Sequence, residues 1–357
     1  MSSPKTSPQG DNSFDAIRLI LALIVVYSHS FAVGGFGNEW TLRFIKGQTT
    51  GGSAAVLGFF GISGYLVTKS FCNRPEWFVF IKRRLLRILP GFYFSLLVVS
   101  FILSPLIFAF KGDAESSWRF KEAFDFIWQN SSLMIWKWSV GSAVVGLPYD
   151  GAVNGSLWSL FPEVCCYCLV LSLGVLGLLR RRLELLALGG FMFLINTAFI
   201  ISPATAVPTL PKLVIFGANI PFYISFLVGA AAYLWSDQNS FGRSGAVFWI
   251  LCCAFLLRYG GWSIFGPVIF PVALMHCAHS FSLRLPADFS YGIYLFHFPC
   301  FQVAAALHLN QHGYGPFLAV GLVLTLFFAV ISWFLVEKPI LALKRSGRQP
   351  LAIFARA

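Results

Sequence analysis

The stretch Phe14-Asp15-Ala16-Ile17-Arg18-Leu19-Ile20-Leu21-Ala22-Leu23-Ile24-Val25-Val26-Tyr27-Ser28-His29-Ser30-Phe31-Ala32-Val33 decides the fold class. An α-helix rises about 1.5 Å per residue, so about 20 apolar residues cross a hydrocarbon core about 30 Å thick. This run has that length and carries Arg18 and His29 within it. A polar start, Met1 to Ser13, precedes it and no small-residue cleavage pattern follows, so it reads as an uncleaved span and not a signal peptide.

The same apolar pattern recurs along the chain, giving about ten candidate spans on the length rule. They run Phe14–Val33, Ser53–Phe71, Phe92–Phe110, Ser156–Leu179, Leu183–Ile201, Val214–Trp235, Ser244–Leu257, Trp262–Phe281, Phe289–Leu307 and Pro316–Val336. The seventh is short enough to pair with the eighth as a re-entrant hairpin. Over 357 residues, 57% are hydrophobic and 11% charged, which excludes a multidomain soluble protein, disorder, collagen and a disulfide-stapled secreted domain. The eight cysteines lie in or beside apolar runs, where a thiol behaves as a small hydrophobe, and no obligatory disulfide is expected. The predicted fold is an all-α integral membrane protein.

A net charge of +12 would suggest nucleic acid in a soluble protein. Here the cations gather in connections: Arg74, Lys82, Arg83, Arg84 and Arg87 at one, Arg180 to Arg182 at another, and Lys338, Lys344, Arg345, Arg348 and Arg356 toward the end. Their natural partners are anionic lipid and phosphate-bearing ligands at a cytoplasmic face, and no nucleic-acid partner is expected. The lysine and arginine bias puts both termini in the cytoplasm. Residues 1–13 are then a cytoplasmic tail, 14–339 the transmembrane domain and 340–357 a basic cytoplasmic tail. The one long outside connection, 111–155, is aromatic, and Phe120, Phe124, Ile127 and Trp128 fall at the spacing of an amphipathic interfacial helix. It reads as an aromatic belt, or as a belt that also roofs a site for an extracytoplasmic substrate. No repeat of 20 to 50 residues, and no symmetry between halves of the kind many transporters have, is evident in the sequence.

An ionisable group inside a span costs about 2.5 kcal/mol or more when charged, so each asks for a partner or a purpose. Arg18 and His29 stand eleven positions apart, which places them on one helix face about 16 Å apart along the axis. That alignment suits an anionic donor held at one end and a proton moved further in. The plainer readings are snorkelling for Arg18 and an interhelical hydrogen bond for His29. Asp15 orients the guanidinium or serves as an acidic residue near the helix start.

Gly58, Gly61 and Gly64 allow close approach of another helix, with Ser63 a hydrogen-bonding group among them. Arg83, Arg84 and Arg87 fit topology and lipid binding first, and forked guanidiniums at a cavity mouth also suit a phosphate-rich donor such as coenzyme A. Glu163, about two turns into the fourth span, orients His29 or anchors the bundle. A second intramembrane histidine, His297, lies in the ninth span, and Glu337 closes the tenth, where an ion pair with arginine fits. His276, His279 and Cys165-Cys166-x-Cys168 lack the partners of a metal set, and no metal is expected. No phosphate loop, dinucleotide fingerprint or serine-hydrolase elbow occurs.

Six stretches, in order, resemble the signature of the acyltransferase-3 family. They are Phe14-Asp15-Ala16-Ile17-Arg18 with His29, Phe60-Gly61-Ile62-Ser63-Gly64-Tyr65-Leu66, Arg83 to Pro90, Leu157-Trp158-Ser159-Leu160 with Glu163, Ser290-Tyr291-Gly292-Ile293-Tyr294-Leu295-Phe296-His297, and Glu337-Lys338-Pro339. The resemblance covers Phe14 to Pro339 and implies a membrane O-acyltransferase of bacterial cell-surface glycans, in the inner (cytoplasmic) membrane. The donor it implies is cytoplasmic acyl-CoA, acetyl-CoA being the commoner case, as a co-substrate with no cofactor bound permanently. The implied acceptor is a glycan or lipid-linked sugar, with cell-envelope polysaccharide assembly proteins as further partners.

Carried onto this chain, His29 is the base, Arg18, Arg83 and Arg84 hold the donor, and Glu163 and Glu337 are further catalytic candidates. Asp15, Ser63, Tyr65, Trp158 and His297 support them. Direct transfer needs no enzyme nucleophile, although an acyl-histidine or an acyl-serine at Ser63 would also satisfy the chemistry. Phe161-Pro162 departs from the small or aliphatic residues usual in the family, and the proline predicts a kink. Some family members carry an appended extracytoplasmic hydrolase-like domain; without one, the membrane domain or a partner handles the acceptor. A glycolipid or polysaccharide transporter or flippase would share the span count and intramembrane charges without consuming a donor. A non-catalytic assembly protein would tolerate loss of His29.

Overall fold

The computed structural model describes residues 13–112, 117–180, 182–201, 219–236, 241–281, 283, 285 and 287–346. The predicted tail 1–13 therefore lies outside them except for Ser13, as do Arg181, the first part of the sixth predicted span (to 218) and the tail beyond 346.

The described residues form helices and no strand. In chain order the α-helices are α1 (Phe14–Gly34), α2 (Thr41–Phe44), α3 (Gly51–Asn73), α4 (Trp77–Val98), α5 (Ser104–Lys111), α6 (Phe120–Asn130), α7 (Leu160–Val175), α8 (Arg182–Ile201), α9 (Ile220–Leu234), α10 (Arg243–Tyr259), α11 (Trp262–Ser280), α12 (Ser290–Ala306), α13 (Tyr314–Ser332) and α14 (Lys338–Ser346). Each of the ten predicted spans has a helix over at least part of its length. Among the described residues seven helical stretches are long and apolar enough to cross a membrane: Phe14–Gly34, Gly51–Asn73, Trp77–Lys111, Leu157–Val175, Leu183–Ile201, Trp262–Ser280 and Tyr314–Ala342. The helices α9, α10 and α12 have 15, 17 and 17 residues and fall below that length.

Two boundaries differ from the sequence reading. Lys82, Arg83, Arg84 and Arg87 are on α4 itself, because the helix starts at Trp77 and runs on through a π-helical turn, Val99–Leu103, into α5. Pro162 does not interrupt α7. It stands in the first turn, where a backbone N–H has no intrahelical acceptor to lose.

The chain divides into two compact units. One comprises residues 1–28, 38–75 and 162–288, the other 29–37, 76–161 and 289–357. In the first unit α3 and α9 pack backbone to backbone. A methyl group at Gly64 would overlap the Phe226 carbonyl oxygen, and one at Gly229 the Gly61 carbonyl oxygen, so only glycine allows this approach. The start of α3 is held by Thr50, whose Oγ1 accepts from the Ser53 N–H at 3.0 Å, and by buried Glu39, which accepts from the Gly51 N–H at 2.6 Å.

Prolines inside α11 release carbonyls one turn upstream, and the first unit supplies donors for both. Ser225 Oγ donates to the Pro267 carbonyl freed by Pro271, at 3.0 Å. Asn196 Nδ2 reaches the Ser263 carbonyl freed by Pro267, at 3.4 Å.

In the second unit α12 is almost wholly buried and packs on α13, with Gly292 against Ala329 and Gly321 against Phe301. The amphipathic helix predicted in 111–155 is α6: Phe120, Phe124 and Trp128 are exposed, whereas Ala123, Phe126 and Asn130 are buried. Gly64→Ala and Gly229→Ala should each lower stability by about 1–3 kcal/mol or more, because a backbone carbonyl cannot move aside as a side chain can. Gly189→Ala, with open space around the added methyl, should be neutral. Thermal unfolding of the detergent-purified variants checks both.

Candidate active site

The second unit holds a pair of imidazoles. His29, in the last turns of α1, places Nδ1 2.7 Å from Nε2 of His297 on α12. The ring centres are 5.0 Å apart and the planes differ by 11°. With so short an N···N separation, these values describe two nearly coplanar rings meeting edge to edge in a hydrogen bond. His297 is 0% exposed, while His29 is half-buried, so only His29 presents an edge to an incoming group.

A segment of the 111–155 connection is fastened beside this pair. Pro299 frees the Leu295 carbonyl on α12, and buried Asn154 Nδ2 donates to it at 2.9 Å. Asn154 Oδ1 also accepts from the N–H and Oγ–H of Ser156, at 3.2 and 2.7 Å. Gln302 Nε2 donates to the carbonyls of Tyr149 and Ala152, at 2.9 and 2.7 Å. Tyr294 donates its hydroxyl proton to the Ser156 carbonyl at 2.9 Å and so accepts from Ser159 Oγ–H at 2.6 Å. Trp158 stands half-buried in the turn Leu157–Ser159 between these contacts. Phe298 meets His29 edge to face, with centres 5.2 Å apart, and meets Tyr149 in the same manner at 5.4 Å. The 111–155 connection thus contacts the wall of the histidine pair.

In the same unit Arg83, Arg84 and Arg87 are half-buried on α4, with Arg84 over the Phe80 ring at 5.9 Å and Arg87 over Tyr291 at 5.6 Å. Gly91 lets Tyr291 approach α4, and the Tyr291 hydroxyl donates to the Ile88 carbonyl at 2.8 Å. Glu337 is buried in the π-helical turn Trp333–Glu337, which packs against α4, and accepts from Ser332 Oγ at 2.8 Å.

The first unit holds the remaining predicted residues. Arg18 pairs with Asp15 at 3.8 Å and with Asp288 at 3.7 Å. Its side chain is 20% exposed, so it is not wholly enclosed beside the two carboxylates. Glu163 accepts from Ser63 Oγ at 3.0 Å and from the hydroxyl of Tyr167 one turn along α7. Glu163 is thus bonded within the first unit, and the side chain hydrogen-bonded to His29 is that of His297. Tyr65 donates to His279 Nε2 at 3.2 Å, and His279 Nδ1 donates to the Met275 carbonyl at 2.8 Å. Phe14 packs against both rings.

The structure therefore joins His29 with His297, Ser63 with Glu163, and Arg18 with Asp15. Asp288, Asn154, Tyr149, Phe298 and Gln302 were not singled out by sequence reasoning. Asn154 is a buried amide and Pro299 a helix-interior proline, and their pairing is a tertiary fact. Asn154→Ala should cost about 1–3 kcal/mol, because it leaves the carbonyl freed by Pro299 without its donor. Faster proteolysis between Ser131 and Ser156, with lower thermal stability, would show it.

Comparison with known proteins identifies the family. The profile of the acyltransferase-3 family, described as an acyltransferase domain, matches residues 11–336. An O-acetyl transferase of Shigella phage Sf6 is 27% identical over 343 residues, covering 92% of this chain and 95% of the relative. Nodulation protein 10 of Rhizobium leguminosarum bv. viciae is 25% identical over 370 aligned positions, covering 94% of each. No solved structure matches. With a family match running from the start of α1 through α13, on a multi-helical apolar scaffold, the chain belongs to the acyltransferase-3 family of membrane acyltransferases.

Proposed function

We propose that the protein is an O-acetyltransferase of the bacterial cytoplasmic membrane, moving an acetyl group from cytoplasmic acetyl-CoA to a hydroxyl of an extracytoplasmic or lipid-linked glycan. The observation that carries the reading is His29. It is a half-buried imidazole inside an apolar helix, engaged on one ring edge by buried His297, eleven residues beyond Arg18 on the same helix. The O-acetyl transferase of Shigella phage Sf6 supports the choice of acetyl and of oxygen as acceptor atom.

In this reading Arg18 takes an anionic group of the donor, and its pairing with Asp15 and Asp288 fixes the guanidinium between donor encounters. Arg83 and Arg84 are the further candidates for the donor's phosphates. The acceptor O–H gives its proton to His29 as its oxygen bonds to the thioester carbon. The C–S bond then breaks, and the coenzyme A thiolate leaves and takes up a proton, which the imidazolium can return. No covalent enzyme intermediate is needed. Glu163 and Glu337 act from their serine-bonded positions on helix placement. Arginines on the cytoplasmic side and the aromatic connection outside follow from the lysine and arginine bias of the sequence.

Deleting the gene should remove a base-labile acetyl signal from proton NMR spectra of isolated surface glycans. The wild-type gene should restore it, and a membrane-inserted His29→Ala should restore less than about 1%. Full restoration by His29→Ala would overturn the role of His29, and an unchanged acetyl signal on deletion would overturn the glycan acceptor.

A further inference from the structure

We infer that His297 is a positioning residue that fixes the tautomer of His29, so that the basic atom of His29 is Nε2 and its Nδ1 carries the resting proton. The inference rests on His29 being the base. Its starting point is His297 Nδ1, which lies 3.1 Å from the Ile293 carbonyl oxygen and 2.9 Å from that of Tyr294. Both neighbours are acceptors only, so Nδ1 of His297 bears a proton and donates.

In neutral imidazole the other nitrogen then has a lone pair, and His297 Nε2 is an acceptor. The atom facing it at 2.7 Å is His29 Nδ1, which must therefore be the donor. His29 is left with an unprotonated Nε2 on the ring edge away from His297. The full burial of His297 keeps water from offering its Nε2 an alternative partner.

The arrangement also serves the transfer step. When His29 Nε2 takes the acceptor's proton, the imidazolium keeps its Nδ1–H bond to a neutral acceptor, which stabilises the new charge without a carboxylate. Returning that proton to the leaving thiolate restores the starting tautomer. His297 neither gains nor loses a proton in the cycle.

The test uses the full chain in lipid nanodiscs, labelled with 15N-histidine. His29 is assigned by its loss in His29→Gln. The wild type should show His29 with a protonated, pyrrole-type Nδ1 and a pyridine-type Nε2. In His297→Leu the His29 signals should become a mixture of tautomers, with kcat down at least about tenfold and the donor KM within about twofold. Gln offers a carbonyl in place of Nε2, so His297→Gln should keep the wild-type tautomer and recover most of kcat.

A wild-type His29 with its proton on Nε2 would overturn the inference, as would a folded His297→Leu with wild-type kcat. Should His297→Leu fail to fold, the wild-type spectrum and His297→Gln decide the matter. Full activity in His29→Ala would remove the base role and leave the tautomer assignment to stand or fall on the spectrum alone.

Discussion

A backbone carbonyl or an imidazole among apolar helices has no water to bond to, and each must find its partner within the protein. Much of the structure follows from that requirement. Pro267, Pro271 and Pro299 each free a carbonyl, and Asn196, Ser225 and Asn154 supply the donors. The π-helical turn after α4 leaves the Ser100 carbonyl to Trp118, whose Nε1–H donates at 2.9 Å. These capped breaks are also tethers. Asn154 binds the 111–155 connection to α12 two residues before His297, so the same bond that satisfies a proline break fixes chain beside the imidazole pair.

The imidazoles obey the same rule. His297 spends one nitrogen on its own helix and the other on His29, and is buried throughout. His29 has one edge bonded and one left over. For the proton transfer proposed above, that asymmetry matters more than the distance itself, because it decides which atom can act. Arg18 shows a different balance: two carboxylates hold it, yet part of its side chain reaches solvent, as suits a cation that exchanges partners.

Helix positions were legible in the sequence because apolar length is a local property, and predicted spans such as Trp262–Phe281 and Phe289–Leu307 differ from their helices by only a residue or so at each end. The glycine spacing at Gly58, Gly61 and Gly64 also announced close packing, although nothing local named Gly229 and Phe226 as the opposing surface. The amphipathic helix α6 was legible from the spacing of Phe120, Phe124 and Trp128, which form its exposed face. Less visible was where helices begin: the cations of Lys82 to Arg87 look like a connection, yet α4 starts before them. Pro162 looks like a kink and is a first-turn residue. In the site, His29 and His297 were each legible as intramembrane histidines, but their bond joins residues 268 positions apart and no spacing rule reaches that far. Asp288 escaped notice for the same reason.

The account depends most on acetyl-CoA being the donor and His29 the proton acceptor. Incubating membranes of a deletion strain with the purified protein and [14C]acetyl-CoA tests both. Wild type should transfer label into a base-labile, non-protein product with matching release of coenzyme A, and His29→Ala should be at least about 100-fold slower. Label that enters the product at equal rates with both proteins would contradict the account, as would label that remains on the protein itself.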